Sequence, residues 1–161
     1  MPPVEMRPYA ARFQDDVINL ALMAWRPVFA QTAAEVPRFV YDAFYPDGWE
    51  QRLRQDIAAF LASHGDHVWL ADAGEVAGFI GLRQHPQDQM GEVYMLAVHP
   101  DHQRQGIGRR LMVFAEQHLR DAGFRMVMVE TTGDSGHAPA RGLYQDTGYQ
   151  PWPVARYFKP L

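Results

Sequence analysis

A glycine-bracketed, arginine-rich turn joins a buried strand to an amphipathic helix, and this junction constrains the fold more than any other segment. After Glu92, residues 93–98 carry β-branched, aromatic and other apolar side chains at successive positions, as in a strand inside a sheet. Apolar residues then recur at helical spacing over 107–119. The sequence therefore predicts a strand, a turn and a helix, with the helix beginning at Gly106 and Gly108.

The first turn of the predicted helix has an unusual charge. A helix N-terminus has unpaired N–H groups and a partial positive charge, which favour acidic residues there. This one carries Arg109 and Arg110, and Arg104 precedes it. A bound anion would supply the missing negative charge, and glycines allow phosphate oxygens to approach the backbone. The turn predicts a diphosphate cradle; the alternative is a glycine turn that leads into a solvated basic helix end.

Two other phosphate-binding motifs do not fit. The dinucleotide fingerprint needs a third small residue where this chain has Leu111, and it turns directly after the strand. Here residues 99–105 separate the strand from the first glycine. A P-loop is excluded because no Gly-Lys-Ser/Thr follows the turn.

Two motifs resemble those of the GNAT superfamily of acyl-CoA-dependent N-acyltransferases. Residues 103–108 read Gln-Arg-Gln-Gly-Ile-Gly after Val-His-Pro, similar to the family's pyrophosphate loop, Gln/Arg-x-x-Gly-x-Gly/Ala after Val-x-Pro. Residues 140–149 read Ala-Arg-Gly-Leu-Tyr-Gln-Asp-Thr-Gly-Tyr, similar to the family's Ala-x-x-Leu-Tyr-x-x-x-Gly-Tyr/Phe helix. The resemblance covers 68–150 well. One departure is His137, at a position that is frequently Asn in the family.

The resemblance implies a fold and an activity. The expected fold is a single α/β domain over 1–161, with a central mixed sheet of about six to seven strands flanked by helices. An acceptor-side part is expected over about 1–66 and an acyl-CoA-binding core over about 67–150. The implied activity is transfer of an acetyl group from acetyl-CoA to a primary amine of a small molecule or peptide, by direct attack in a ternary complex. A non-catalytic acyl-CoA-binding module and an interaction domain that binds no nucleotide are the alternatives.

The chemistry of acetyl transfer suggests catalytic residues. An amine attacks a thioester only as the free base, so a carboxylate must take its proton. Glu92, the one charged residue of its strand, is the leading candidate, and Glu130 at the end of the next strand is the second. A phenol near the sulfur can protonate the departing thiolate, and the resemblance gives that role to Tyr144.

The resemblance also implies contacts to the co-substrate. The backbone N–H groups of residues 96–98 would hold the oxyanion where the family separates two parallel strands. The expected cofactor-binding residues are Leu96, Ala97, Val98, Gln103, Arg104, Gln105, Gly106, Ile107, Gly108, Arg109, His137 and Tyr144. At His137 an imidazole replaces the family's carboxamide.

Composition narrows the range of partners and cofactors. The chain has no cysteine, which excludes thiolate metal sites and an acyl-cysteine intermediate. The pairs His99/His102 and His64/His67 lack a third ligand, so no metal is expected. A net charge of −4, from 15 basic and 19 acidic residues, argues against nucleic acid. No apolar run is long enough for a membrane span and no signal peptide is evident, so a cytoplasmic location is expected.

Two further patterns bear on the acceptor and on assembly. Seven aromatic residues between Trp25 and Trp49 predict either helix packing or an acceptor pocket, and nearby acids favour a cationic amine or a peptide amine.

Pro27 is expected to end or bend the first helix, which begins near Phe13. A last strand is predicted at about 154–158, and its edge near Tyr157 would suit a homodimer.

Overall fold

A computed structural model describes residues 3–161 as a layered α/β structure. Its strands are β1 (Glu5–Pro8), β2 (Val68–Asp72), β3 (Val76–His85), β4 (Met90–Val98) and β5 (Met126–Val129). Its α-helices are α1 (Gln14–Glu35), α2 (Arg38–Phe44), α3 (Trp49–His64), α4 (Ile107–Asp121) and α5 (Ala138–Asp146). Short 3-10 turns occupy several of the connections.

The five strands form one sheet in the order β1-β2-β3-β4-β5. Neighbours are antiparallel from β1 to β4, and β5 is parallel to β4. The mixed α/β sheet predicted from the sequence is confirmed. The strand count is lower than the predicted six to seven, since five strands lie within residues 3–161.

The strand predicted at 154–158 is wrong. Residues 150–161 are exposed and contain no helix or strand. Three prolines in this segment, Pro151, Pro153 and Pro160, have no N–H to donate to a neighbouring strand. The homodimer stays a prediction, without the support of a strand edge at Tyr157.

Helices cover both faces of the sheet. On one face, α1 and α3 bury an apolar cluster that includes Leu20, Ile57 and Phe60. On the other face, α4 buries a second cluster that includes Leu111 and Leu119. At roughly 25 cal/mol per Å² of buried apolar surface, these clusters provide the main driving force for folding.

Glycines allow both helix layers to approach the sheet closely. A Cβ at Gly81 would clash with the ring of Phe60 from α3, and one at Gly91 would clash with Leu119 from α4. The positions of α3 and α4 therefore depend on the absence of a Cβ at these two glycines of β3 and β4.

A bulge and an unpaired edge interrupt the regular pairing of β4. Gly81 pairs with Met95 and Leu82 pairs with Val93, so Tyr94 has no partner on β3. On the other side, β5 pairs with β4 only as far as Val93. The β4 edge over residues 94–98, which β5 leaves unpaired, is called the β4–β5 gap below.

Candidate active site

The β4–β5 gap leaves main-chain groups of β4 without strand partners on one side. The last parallel pair joins Val93 to Val129, whereas β4 continues to Val98. The separation of two parallel strands that the resemblance implied is therefore present. It exposes the edge of the segment that contains Leu96, Ala97 and Val98, the predicted oxyanion-binding residues. The side chain of Ala97 itself is buried in the core, so only its main chain is available there.

The turn after β4 leads directly into α4. Gly106 is the N-cap of α4 and has φ +79°, a left-handed conformation that glycine adopts without strain. A Cβ at Gly106 would meet no atom within 4 Å, so the space above this residue is open. The first turn of α4 contains no acid, and no side chain caps it. Unpaired N–H groups therefore face an open space at the positive end of the helix.

Side chains of the turn fall into two groups. Gln103 Nε2 donates to the Val98 carbonyl at 3.1 Å, and Gln105 Nε2 donates to the Asp101 carbonyl at 3.3 Å. These two predicted cofactor residues therefore hold the shape of the loop. By contrast, Arg104 and Arg109 are exposed and form no ion pair with any residue from 3 to 161. Their charges are available to an anion.

The remaining positions of the turn contribute through their backbone. Arg104 itself has φ +61°, an uncommon conformation for a residue with a side chain. Ile107 is buried, so its N–H and not its side chain faces the turn. Arg110 donates to the Val4 carbonyl at 2.6 Å and connects α4 to the start of β1. We refer to residues 103–109 as the diphosphate cradle.

Tyr144 lies on α5, close to the cradle in space. A Cβ at Gly108 would lie 3.6 Å from the side chain of Leu143 and 3.8 Å from that of Val98, so α5 packs where β4 ends and α4 begins. The Tyr144 ring packs against the α4-side cluster, and burial raises the pKa of its phenol. Its hydroxyl makes no hydrogen bond to any described residue, whereas Tyr149 donates to Glu116 at 3.1 Å. Tyr144 therefore keeps a neutral phenol with a proton to donate.

The chain after β5 carries one polar atom that sequence reasoning missed. The hydroxyl of Thr131 is buried and has no hydrogen-bond partner among residues 3–161. Such orphaned groups are uncommon and suggest a ligand or water that the protein itself does not provide. The neighbouring Glu130 differs, because its side chain is 69% exposed and lies 3.7 Å from Arg156.

Glu92 lies one residue before the last β4–β5 pair. Its neighbour Val93 packs with α4, so alternation along the strand places Glu92 on the opposite face, the α3 face. Its carboxylate is 14% exposed and forms a 2.7 Å hydrogen bond with Nε2 of His85. No signal in the sequence links these residues, because they meet through the register of β3 and β4. The structure shows no hydrogen bond between Glu92 and Tyr144.

His137 belongs to a polar network that joins the loop before α5 to α1. Its Nδ1 lies 2.9 Å from both carboxylate oxygens of Asp134, which also accepts hydrogen bonds from Thr132 and from Thr32 of α1. Burial alone would raise the pKa of Asp134. Hydrogen bonds from Thr132 and His137, the charge of His137 and the bond from Thr32 outweigh burial and lower this pKa to about 2. Nδ1 of His137 is therefore occupied, and Nε2 is the nitrogen left for a ligand.

Most of the aromatic residues between Trp25 and Trp49 pack on one another. Phe29 stacks on Trp49 with ring centroids 4.4 Å apart, and Tyr45 meets the edge of Phe29 at 5.5 Å. Trp25 instead packs on Phe79 of β3, 6.4 Å away. Helix-to-sheet packing therefore accounts for Trp25, while a cluster between α1, α2 and α3 is formed by Phe29, Tyr41, Phe44, Tyr45 and Trp49.

The features of this site fit the diphosphate and pantetheine parts of an acyl-CoA. The open, uncapped start of α4 at Gly106 suits a diphosphate, and two free arginines lie beside it. The β4–β5 gap suits an extended arm that hydrogen-bonds to main chain, and the orphaned Thr131 hydroxyl offers one more polar contact.

Comparison with known proteins agrees with this geometry. The sequence model of the acetyltransferase (GNAT) family matches residues 31–149, which is most of the chain. The chain belongs to the acetyltransferase (GNAT) family. The match includes the cradle, both strands of the gap and α5.

One curated relative aligns over almost the whole chain. It is the mycothiol acetyltransferase of Nocardiopsis dassonvillei, which is 30% identical over 179 aligned residues that cover 99% of this chain and 49% of the relative. The chain thus spans about half the length of this GNAT relative.

Solved structures of GNAT proteins have the same fold. An alanine N-acetyltransferase of a ribosomal protein from Escherichia coli has a TM-score of 0.66 and 18% identity, covering 99% of this chain and 85% of that one. A GNAT acetyltransferase from Brucella melitensis in complex with acetyl-CoA has a TM-score of 0.62 and 16% identity, covering 94% and 85%. At these identities the similarity establishes the fold. Within residues 3–161, no helix has both the length and the apolar character needed to cross a membrane.

Proposed function

We propose that this GNAT protein transfers an acetyl group from acetyl-CoA to a primary amine, without an acyl-enzyme intermediate. The observation that carries the proposal is the position of the open α4 N-terminus at Gly106, directly after the strand that borders the β4–β5 gap. One end of this arrangement suits a diphosphate, and the other offers free main-chain groups for a thioester. The lack of cysteine favours direct attack.

The residues that would hold acetyl-CoA are the backbone of 106–109, the side chains of Arg104 and Arg109, and the edge of β4 at 96–98. When bound, acetyl-CoA supplies the activated carbonyl that the amine attacks. The exposed guanidinium groups would neutralise a diphosphate, while Gln103 and Gln105 hold the loop in shape. Nε2 of His137 and the hydroxyl of Thr131 are further candidate contacts.

The proposed reaction needs proton transfers at the amine and at the sulfur. The amine must lose a proton, and Glu92, the candidate base predicted from the sequence, has a mostly buried carboxylate that is hydrogen-bonded to His85 next to the gap. Glu130 is the weaker candidate because its side chain is mostly exposed and close to Arg156. At the other end, Tyr144 would give its Oη proton to the departing sulfur, and the phenol would be restored by the second proton that the attacking nitrogen loses on becoming the amide. Its raised pKa keeps the phenol neutral at working pH.

The acceptor we propose is a cationic small amine or a peptide N-terminus. The aromatic cluster around Phe29 and Trp49 lies on the acceptor-side part of the chain and borders an open depression lined by Asp47, Glu50 and Arg54. Aromatic faces and carboxylates attract ammonium groups. The names of the relatives support an amine acceptor, one being a mycothiol acetyltransferase and another acting on a protein alanine.

The experiment is a CoA-release assay with acetyl-CoA and three probe amines: kanamycin, spermidine and an alanyl tripeptide. Turnover with at least one amine, with a product heavier by one acetyl group, is the expected result. Tyr144→Phe should lower kcat by tenfold or more, typical of a lost general acid, and leave acetyl-CoA affinity unchanged. Tyr149→Phe removes a hydroxyl from the neighbouring ring and serves as the control. Binding of acetyl-CoA without turnover would instead indicate a non-catalytic binding module.

A further inference from the structure

The imidazole of His85 and the carboxylate of Glu92 form an isolated pair on the α3 face of the sheet. Nε2 of His85 lies 2.7 Å from Oε2 of Glu92. Nδ1 of His85 makes no hydrogen bond to any residue from 3 to 161. The imidazole is 39% exposed, and the carboxylate behind it is 14% exposed. Solvent or a substrate can therefore reach the imidazole more easily than the carboxylate.

No arginine or lysine of residues 3–161 forms an ion pair with Glu92. Arg83 is the direct cross-strand partner of Glu92, a position from which oppositely charged side chains normally interact. Its guanidinium lies instead over the Tyr94 ring, 3.5 Å from the centroid. Tyr94 is the bulge residue of β4 and packs against Phe60 of α3. Glu92 is thus hydrogen-bonded to an imidazole, which has a ring nitrogen that can accept a proton, whereas a guanidinium has none.

Ionisable residues on the neighbouring elements include Arg83 on β3, Tyr94 on β4, His64 on α3, which stacks on Phe60, Asp88 in the turn after β3, and Arg125, whose backbone N–H donates to the carbonyl of Gln89. The hydroxyl of Ser63 already contacts Nδ1 of His64. No second carboxylate hydrogen-bonds to His85 within the described residues.

We propose that His85 is the catalytic base of the reaction and that Glu92 is its positioning residue, an inference that rests on the proposed acetyl transfer. Nδ1 of neutral His85 accepts a proton from the ammonium group of the acceptor, either directly or through one water. The N–H bond of the ammonium breaks, an N–H bond forms on Nδ1, and the amine keeps the electron pair with which it attacks. Glu92 stays ionised, holds the Nε2–H tautomer and stabilises the imidazolium. Release of the Nδ1 proton to water restores the resting state.

The two assignments of the base predict opposite rankings of variants. If His85 is the base, His85→Gln should lower kcat/KM at neutral pH by about a hundredfold, typical of a lost general base. Glu92→Gln should lower it less, because a carboxamide oxygen still accepts from Nε2–H. Activity of His85→Gln should recover as pH rises, since more of the amine is then already free. His118→Gln is the matched control, because His118 packs against Trp69 and stacks on Phe114 on the α4 face.

Rescue by imidazole separates a catalytic role from a structural one. The assay is CoA release with the most active probe amine, in His85→Ala and in Glu92→Ala, with and without added imidazole. We expect imidazole to raise the rate of His85→Ala at least fivefold and to leave Glu92→Ala unchanged. His85→Gln, checked for a Tm close to that of the wild type, keeps the test valid if the alanine variant fails to fold.

The outcomes distinguish this inference from the proposed function. Wild-type turnover combined with near-normal His85→Gln activity and a larger loss in Glu92→Gln would overturn the inference and leave Glu92 as the base. Wild-type turnover with no rescue of a folded His85→Ala would also count against it. Absence of CoA release from the wild type with every probe amine would overturn the proposed function, and the inference with it.

Discussion

Replacing Asp134 with asparagine keeps the shape of the side chain and removes its charge from a network that orders the loop before α5. The Asp134 side chain is only 7% exposed. It accepts a hydrogen bond from Thr32 of α1 at 3.1 Å and lies 2.9 Å from Nδ1 of His137. The network therefore connects a distant helix to the loop that carries a predicted cofactor contact.

The magnitude of the effect follows from the pKa of Asp134. This pKa falls from 3.8 to about 2 in the folded protein, and each unit corresponds to about 1.4 kcal/mol. The ionised carboxylate therefore contributes about 2 kcal/mol to the free energy of unfolding at neutral pH. Because the folded pKa is the lower one, this contribution is complete above the unfolded pKa near 3.8. It is lost as pH falls through the window from about 4 to about 2.

The assay is urea unfolding followed by tryptophan fluorescence, at pH 7 and at steps down to the lowest pH at which the wild type folds. We expect Asp134→Asn to lower the free energy of unfolding by about 2 kcal/mol at pH 7, with a smaller difference below pH 4. Asp66→Asn, at an exposed position in the turn after α3, should have little effect. A loss under about 0.5 kcal/mol at pH 7, or a loss that does not shrink with acid, would refute the reasoning.

Three further predictions concern the cradle, the gap and the second carboxylate. Gly106→Glu should abolish acetyl-CoA binding in calorimetry, whereas Gly123→Glu, which has the same left-handed strain at the other end of α4, should preserve it. Thr131→Val removes an unpaired buried hydroxyl, so it should leave the free energy of unfolding unchanged or raise it by about 1 kcal/mol. The same variant should weaken acetyl-CoA binding. A clear loss of stability would contradict the assignment of Thr131 as an unpaired hydroxyl that contacts acetyl-CoA. Glu130→Gln should change kcat/KM less than twofold, and a loss near a hundredfold would make Glu130 the base.

The local features of the site were accessible from the sequence because they depend on neighbouring residues. The glycine and arginine pattern predicted a helix start, and α4 does begin at Ile107 with Gly106 at positive φ. The strand before it was equally clear from its continuous apolar run. Both depend on short-range preferences of the backbone, which a single sequence records.

The pairings across the fold were not accessible in the same way. His85 and Glu92 meet because the register of β3 and β4 shifts by one residue at Tyr94. Asp134 meets Thr32 across 102 residues of sequence. Neither contact has a signature in spacing or composition.

Pro27 and the C-terminal segment show where local preferences mislead. Pro27 was expected to end or bend the first helix; the helix does not end there, since α1 continues through it to Glu35. Contacts beyond the proline, such as the stacking of Phe29 on Trp49, hold the second half of the helix in place and offset the missing hydrogen bond. A strand was predicted at 154–158, but this segment joins no sheet; Pro151, Pro153 and Pro160 flank it and have no N–H with which a strand could be extended.

The most direct test of the central claim compares acetyl-CoA with S-acetylpantetheine by calorimetry on the wild-type protein. The two ligands share the thioester and the arm, but only acetyl-CoA carries the diphosphate that the α4 N-terminus is proposed to hold. We expect acetyl-CoA to bind at one site at least tenfold more tightly, which is about 1.4 kcal/mol. Equal affinities, or no binding of acetyl-CoA at millimolar concentration, would contradict the account.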